Sequence, residues 1–107
     1  MTEISPDANV DRPIGALVFW TARASQRVAR YAGLPGHLLR SPVVQRVMDR
    51  DRALHAACAV ALRLRADEVV RYAADLGVEC TEYEVIEDPL PICGALMNHV
   101  AAMEEAN

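Results

Sequence analysis

The stretch ADEVVRYAADLGVECTEYEVIE, residues 66–87, decides the fold because it places two helix signals on either side of a glycine. Asp67 can cap a helix that ends at Gly77, where glycine adopts the left-handed conformation without steric cost. Thr81 followed three residues later by Glu84 is a capping box, the signal of a helix start. The stretch therefore predicts helix, tight corner, helix.

The segment after the corner has two interpretations. As a helix it would return Tyr83 and Ile86 to the core, because the two residues are three positions apart. As a strand it would span residues 78–86, where Val78, Cys80 and Val85 stand among residues that favour extended backbone. We expect the helix and keep a short strand at 78–86 as the alternative.

The remainder of the chain also carries helical signals. Residues 1–11 are polar and lack apolar periodicity, so we expect a flexible lead-in, and residues 12–107 form a single helical domain. The apolar content of 52% includes one Phe, one Trp and three Tyr, which favours closely packed helices over a sheet sandwich. The predicted fold is all-α, a small bundle of four or five helices.

The first predicted helix has two faces. Asp11 can cap it, Pro13 occupies its first turn, and it should run to about Ala32 and stop at Gly33. A second, basic stripe lies away from its inward face and consists of Trp20, Arg23, Arg27 and Arg30. Trp20 is a candidate anchor for a partner. The alternative is that Trp20 closes the edge of the core.

Residues 42–64 form either one long helix or two helices that break near residues 49–51. Ser41 and Pro42 repeat the cap-and-proline start signal. The apolar stripe expected to face inward consists of Val44, Val47, Met48, Leu54, Cys58, Ala61 and Leu62. Asp51 interrupts this stripe, and periodicity does not choose between the two arrangements. Towards the C-terminus, Pro91 is expected to begin a last helix.

The charge of the chain is divided between its two parts. Residues 1–65 contain ten Arg and five Asp or Glu, a net charge of +5; residues 66–107 contain one Arg and ten Asp or Glu, a net charge of −9. The acidic candidates for partner binding are Glu79, Glu82, Glu84 and Glu87. Charge separated in this way sets orientation and encounter rate with a macromolecule.

Residues 66–87 resemble a helix-turn-helix in layout, since Ala73 lies four residues before Gly77. The helix that would enter the major groove, however, carries carboxylates and no Arg, Asn or Gln that could read bases. Duplex DNA presents about one negative charge per 1.7 Å of its axis, so phosphate would repel this helix. We therefore do not expect DNA recognition through it.

A second resemblance covers residues 43–85. Asp51 with Leu54, Ala73 with Gly77, and the Thr81 capping box resemble the pattern of the small domain associated with nitrogen-fixation clusters and natural-product leader peptides. Residues 92–107 contain a single glycine and end in an acidic helix, whereas such leader peptides end in a double-glycine cleavage site. The resemblance thus implies a helical recognition module rather than a precursor peptide.

The sequence gives no support for catalysis or a cofactor. His55 and Cys58 share a helix face, but the CxxC pairing typical of zinc sites is absent, and Cys58 lies in an apolar stripe where a thiol acts as a small hydrophobe. Three cysteines are an odd number for a disulfide framework, so we expect a cytoplasmic protein. Its longest apolar run is too short for the roughly 20 residues of a membrane helix.

These observations predict a small, non-catalytic module, without metal or cofactor, that binds another protein through its acidic C-terminal face. The partner would be basic, or a second copy of the chain. One alternative is a transcriptional or nucleic-acid-binding regulator that uses the arginines of the first helix. A second alternative is a small subunit of an enzyme complex.

Overall fold

The computed structural model describes residues 13–106 and is all-α over this range, without strands, as predicted. The expected lead-in at 1–11 and the Asp11 cap lie outside the described residues. The six α-helices of the described range are α1 (Pro13–Arg30), α2 (Gly36–Leu39), α3 (Pro42–Leu64), α4 (Ala66–Asp75), α5 (Glu82–Glu87) and α6 (Pro89–Ala106). A single 3₁₀ turn, Tyr31–Gly33, follows α1. Four helices have ten residues or more, so the bundle has four long helices and two short ones.

The core lies where α1, α3, α4 and α6 meet. Helix α1 packs mainly against α3 and α6, while α5 packs against α4, α3 and α6. The buried cluster consists of Ile14, Val18, Leu62, Ala66, Val69, Tyr72, Ala73, Leu76, Val85, Cys93, Leu96 and Val100. Its side chains are mostly aliphatic and small, so the helices can approach closely, as the composition predicted.

Helix α3 is one continuous helix of 23 residues, which settles the choice left open for residues 42–64. Asp51 does not break it, because the hydroxyl of Tyr31 donates a hydrogen bond to the Asp51 carboxylate and compensates for its burial. Ser41 occupies the N-cap position before Pro42, as expected, but its side chain makes no capping hydrogen bond.

The inward face of α3 differs from the predicted stripe. Met48, Cys58 and Leu62 are buried as expected, but Val47 and Leu54 are exposed. At 100° per residue, Val47 and Leu54 lie on a flank of the helix beside the inward face. The predicted stripe was too wide because it merged two neighbouring apolar rows.

Two helix starts also differ from prediction. Helix α4 begins at Ala66 with Arg65 at the N-cap, so Asp67 is not the cap. Asp67 instead lies in the first turn, where its carboxylate is 3.3 Å from the Arg71 guanidinium. Its negative charge also interacts favourably with the positive end of the helix dipole. Helix α6 begins at Pro89 rather than Pro91, because proline is tolerated throughout a first helical turn.

Candidate functional site

The corner between α4 and α5 has the predicted left-handed glycine. Gly77 has a φ of +86°. Its backbone N–H donates to the Ala74 carbonyl at 3.0 Å, and the Val78 N–H donates to the Ala73 carbonyl at 2.8 Å. These bonds satisfy carbonyls at the end of α4 in the manner of a Schellman motif. The corner therefore fixes the direction in which the chain enters α5.

The segment after the corner is a helix, as expected, and the strand alternative at 78–86 is wrong. The Glu84 N–H donates to Thr81 Oγ1 at 3.1 Å, and the Thr81 N–H donates to Glu84 Oε1 at 3.0 Å, which is a complete capping box. At the other end, Arg63 Nε donates to the Ile86 carbonyl at 2.9 Å. A cation from α3 thus binds the negative end of α5.

Helix α5 buries Val85 and exposes its larger apolar residues. Tyr83 is 71% exposed and Ile86 is 52% exposed, so the prediction that both return to the core is wrong. The helix has six residues, and only Val85 points at the α4 and α6 neighbours that form the core. Burial of Val85 turns Tyr83 and Ile86 outward, since positions two before and one after it lie on other faces.

These residues form what we term the acidic surface: the exposed side chains of Glu79, Glu82, Tyr83, Glu84, Ile86 and Glu87. One carboxylate oxygen of Glu84 already accepts the hydrogen bond from the Thr81 N–H in the capping box. A hydrogen bond to the Glu87 carboxylate, with a smaller contribution from desolvation, raises the pKa of Tyr83. The acidic surface presents an apolar centre with a rim of carboxylates, a pattern suited to a partner that is basic around an apolar contact.

Two shallow hollows flank α5. One, of about 370 Å³, is lined by Tyr83, Glu84, Glu87, Asp88, Pro91 and Ile92. The other, of about 470 Å³, lies on the α4 side and is lined by Val70, Ala74, Val78, Glu79, Cys80, Thr81 and Glu84. Both hollows combine apolar walls with carboxylates, so they extend the acidic surface on either side of the helix.

The basic stripe of α1 is exposed, as predicted. Trp20 is 57% exposed, and Arg23, Arg27 and Arg30 are also exposed. The Phe19 ring meets Trp20 edge to face at a centroid distance of 5.1 Å, and the Arg23 guanidinium lies 5.8 Å from the Phe19 centroid. Trp20 is therefore on the surface beside a cation–π pair rather than closing the core.

The structure does not bring the basic stripe and the acidic surface together. Helix α1 packs mainly on α3 and α6. Within residues 13–106, no ion pair joins the α1 arginines to the carboxylates of the acidic surface. The eight residues predicted for partner binding thus form two separate surfaces of opposite charge.

A groove of about 350 Å³ runs between α1 and α6, lined by Phe19, Ala22, Arg23, Gln26, Met97, Val100, Ala101 and Glu104. Its floor is apolar. Arg23 and Glu104 supply opposite charges from its two walls. The groove adjoins the basic stripe through Phe19 and Arg23, so it belongs to that surface.

Two polar contacts of α3, one with α1 and one with the 3₁₀ turn that follows α1, were not predicted. Ser25 Oγ lies 2.8 Å from His55 Nε2, and both residues are half-buried. The Tyr31 hydroxyl donates a hydrogen bond to the Asp51 carboxylate, and this bond is the main cause that raises the pKa of Tyr31. The sequence showed Asp51 as a break in an apolar stripe, but it did not show the partner, which lies 20 residues away. These contacts set the register of α1 on α3.

The cysteines behave as packing residues. Cys58 and Cys93 are buried and Cys80 is half-buried. Burial, with a smaller contribution from neighbouring Cys58, raises the pKa of Cys93 to about 12. Over the described residues, no three His, Cys, Asp or Glu side chains gather closely enough to hold a metal ion.

Comparison with known proteins adds no relative, since no family model, curated protein or solved structure matches the chain. None of the helices between residues 13 and 106 combines the length and apolar character needed to cross a membrane.

Proposed function

We propose that this chain is a small, non-catalytic binding module whose acidic surface docks a basic protein partner. The observation that carries the proposal is the exposure of Tyr83 and Ile86 inside a ring of carboxylates. Tyrosine is enriched among residues that dominate interface energetics, and a large apolar side chain contributes about 1.5–3 kcal/mol when it leaves water.

The charge of the rim selects the class of partner. Glu79, Glu82 and Glu87 are exposed, and no basic side chain of the described range forms an ion pair with them. A polyanion would be repelled, whereas an Arg- or Lys-rich surface would be attracted over roughly a Debye length, about 8 Å at physiological salt. The rigid corner at Gly77 and the capping box hold α5 in place, which reduces the entropy lost on docking.

The test uses the full chain as bait in lysate of its source, with bound proteins identified and then titrated in purified form. Combined Tyr83→Ala and Ile86→Ala should weaken the captured complex by at least about 30-fold, the loss expected when two central contacts go. Glu82→Lys with Glu87→Lys should weaken it as well and leave the capping box intact. Affinity should also fall at about 1 M salt, where the Debye length is about 3 Å.

The matched control is Trp20→Ala, because Trp20 is exposed to a similar degree but lies on α1. It should leave the complex unchanged. The proposal fails if Trp20→Ala weakens binding as much as the α5 variants do, or if the α5 variants bind normally.

The exposed arginines of α1, none of which forms an ion pair with a carboxylate within residues 13–106, support a second candidate, a nucleic-acid-binding regulator. Arg23, Arg27 and Arg30 project from one face of α1 beside Trp20. This candidate predicts that a duplex DNA fragment binds with an affinity that falls steeply with salt, and that Arg23→Ala with Arg27→Ala reduces the salt slope by about 2. A role as the small subunit of an enzyme complex would emerge from the identity of the captured protein.

A further inference from the structure

Helix α3 carries a second, mostly apolar row that faces solvent and is interrupted by Arg50. Its positions alternate in spacing between four and three residues, the pattern of a coiled-coil contact line. We term this row the α3 seam: Val43, Val47, Arg50, Leu54, Ala57, Ala61 and Leu64. The α3 seam spans the whole helix and is distinct from the buried face that carries Met48, Cys58 and Leu62.

The α3 seam is too apolar for a face that remains in water. Leu64 is 81% exposed, Val43 is 61% exposed and Leu54 is 51% exposed, and Ala57 is exposed as well. No Asp, Glu, Lys or Arg occurs in residues 53–62, although five of these ten residues are exposed. An exposed face this rich in apolar side chains on a long helix marks an interaction site.

We propose that the α3 seam pairs with the same seam of a second copy, antiparallel, about a two-fold axis near Leu54. In that arrangement Leu54 meets the partner's Leu54, Arg50 lies over the partner's Ala57, and Val47 lies over the partner's Ala61. The larger side chain faces a smaller one on both sides of the centre, which lets the helices approach closely. A two-fold axis makes every contact occur twice, as in most homodimers.

Charge decides the antiparallel direction. A parallel pair would set Arg50 against the partner's Arg50, which is a repulsive contact. The antiparallel pair places the Arg46 end of one α3 beside the C-terminal end of the other. That end carries Arg63 and Arg65 as well as acidic α5, which is bound there through the hydrogen bond from Arg63 to Ile86. The antiparallel direction therefore follows from the separation of the two Arg50 side chains.

The contact between the two copies is small. A helix of 23 residues is about 34 Å long and about 11 Å wide, so the pair buries roughly 400 Å² on each copy. The total of roughly 800 Å², before flanking side chains add to it, is below the about 1,200 Å² of stable specific interfaces and lies in the range of weak, transient ones. The dimer should dissociate reversibly, with a dissociation constant in the range of about 1–100 μM.

Sedimentation equilibrium of the purified full chain between about 1 μM and 1 mM tests the dimer. The average mass should rise with concentration, and Leu54→Glu should weaken dimerisation by at least about 100-fold, because two carboxylates would be buried on the axis. Ile86→Glu is the matched control, since Ile86 is as exposed as Leu54 but lies outside the α3 seam. A chain that stays monomeric, or an Ile86→Glu variant that loses the dimer equally, overturns the proposal.

Disulfide trapping tests the direction in a Cys80→Ser background. Mixed Val47→Cys and Ala61→Cys chains should form a disulfide with each other under mild oxidation, and neither variant should cross-link with itself. Self-cross-linking of Val47→Cys would establish parallel pairing and overturn the proposal. The inference does not rest on the function proposed above, because Leu54→Glu should keep the captured partner and the Tyr83 and Ile86 variants should keep the dimer.

Discussion

Substitution of Gly77 by alanine tests the corner on which the acidic surface depends. Gly77 has a φ of +86°, and a Cβ added there meets no heavy atom within 4 Å. Steric overlap with neighbours therefore contributes nothing, and the cost is the backbone energy of an L-residue in the left-handed region, about 1–2 kcal/mol. For a chain of this size that loss lowers the thermal midpoint by roughly 4–16 °C.

Gly94→Ala is the internal control for this prediction. Gly94 lies inside α6, its added Cβ also meets nothing within 4 Å, and its φ is not in the left-handed region. Alanine there should stabilise the fold by about 0.5–1 kcal/mol, because glycine is a poor helix former. Thermal and urea unfolding followed by circular dichroism measures both changes. Thermal midpoints that shift in the same direction for the two variants would contradict the left-handed requirement at Gly77.

Three further outcomes follow from the buried and paired side chains. Val85→Ala should destabilise the fold by about 2 kcal/mol in urea unfolding, whereas Ile86→Ala should change it by less than about 0.5 kcal/mol, and equal effects would contradict the assigned burial. Burial raises the pKa of Cys93 to about 12, so its thiol is protonated at pH 8 and should react with a maleimide only after unfolding. The free energy of unfolding that this raised pKa contributes is present in full below pH 9.0 and is lost as the pH rises towards 12. A double-mutant cycle of Ser25→Ala and His55→Ala should give a coupling energy of about 1 kcal/mol, and additive effects would show that the contact is not formed.

The local features of the site could be predicted from the sequence. The left-handed Gly77 and the capping box of Thr81 and Glu84 involve residues no more than a few positions apart. Signals of this kind depend on backbone donors and acceptors within one turn, so they do not need tertiary partners. The exposure of the α1 arginines could also be predicted, but for a different reason: charged side chains remain in water wherever the helix packs.

The assignment of inward and outward apolar residues was less accurate. On α5, Val85 took the core position and left Tyr83 and Ile86 outside, and on α3 the apolar residues divided into a buried row and the α3 seam. A period of 3.6 shows which residues share a face of a helix. It does not show which of two adjacent faces a neighbouring helix will cover.

The sequence by itself thus determined the all-α class, the corner at Gly77, the start of α5 and the division of charge between the two parts of the chain. Only the tertiary structure decided which apolar faces are covered, that Ser25 meets His55, and that the basic stripe and the acidic surface lie apart. The physical reason is range. Caps and turns are fixed by hydrogen bonds within a few residues, whereas burial depends on helices that are distant along the chain, such as α1 and α6.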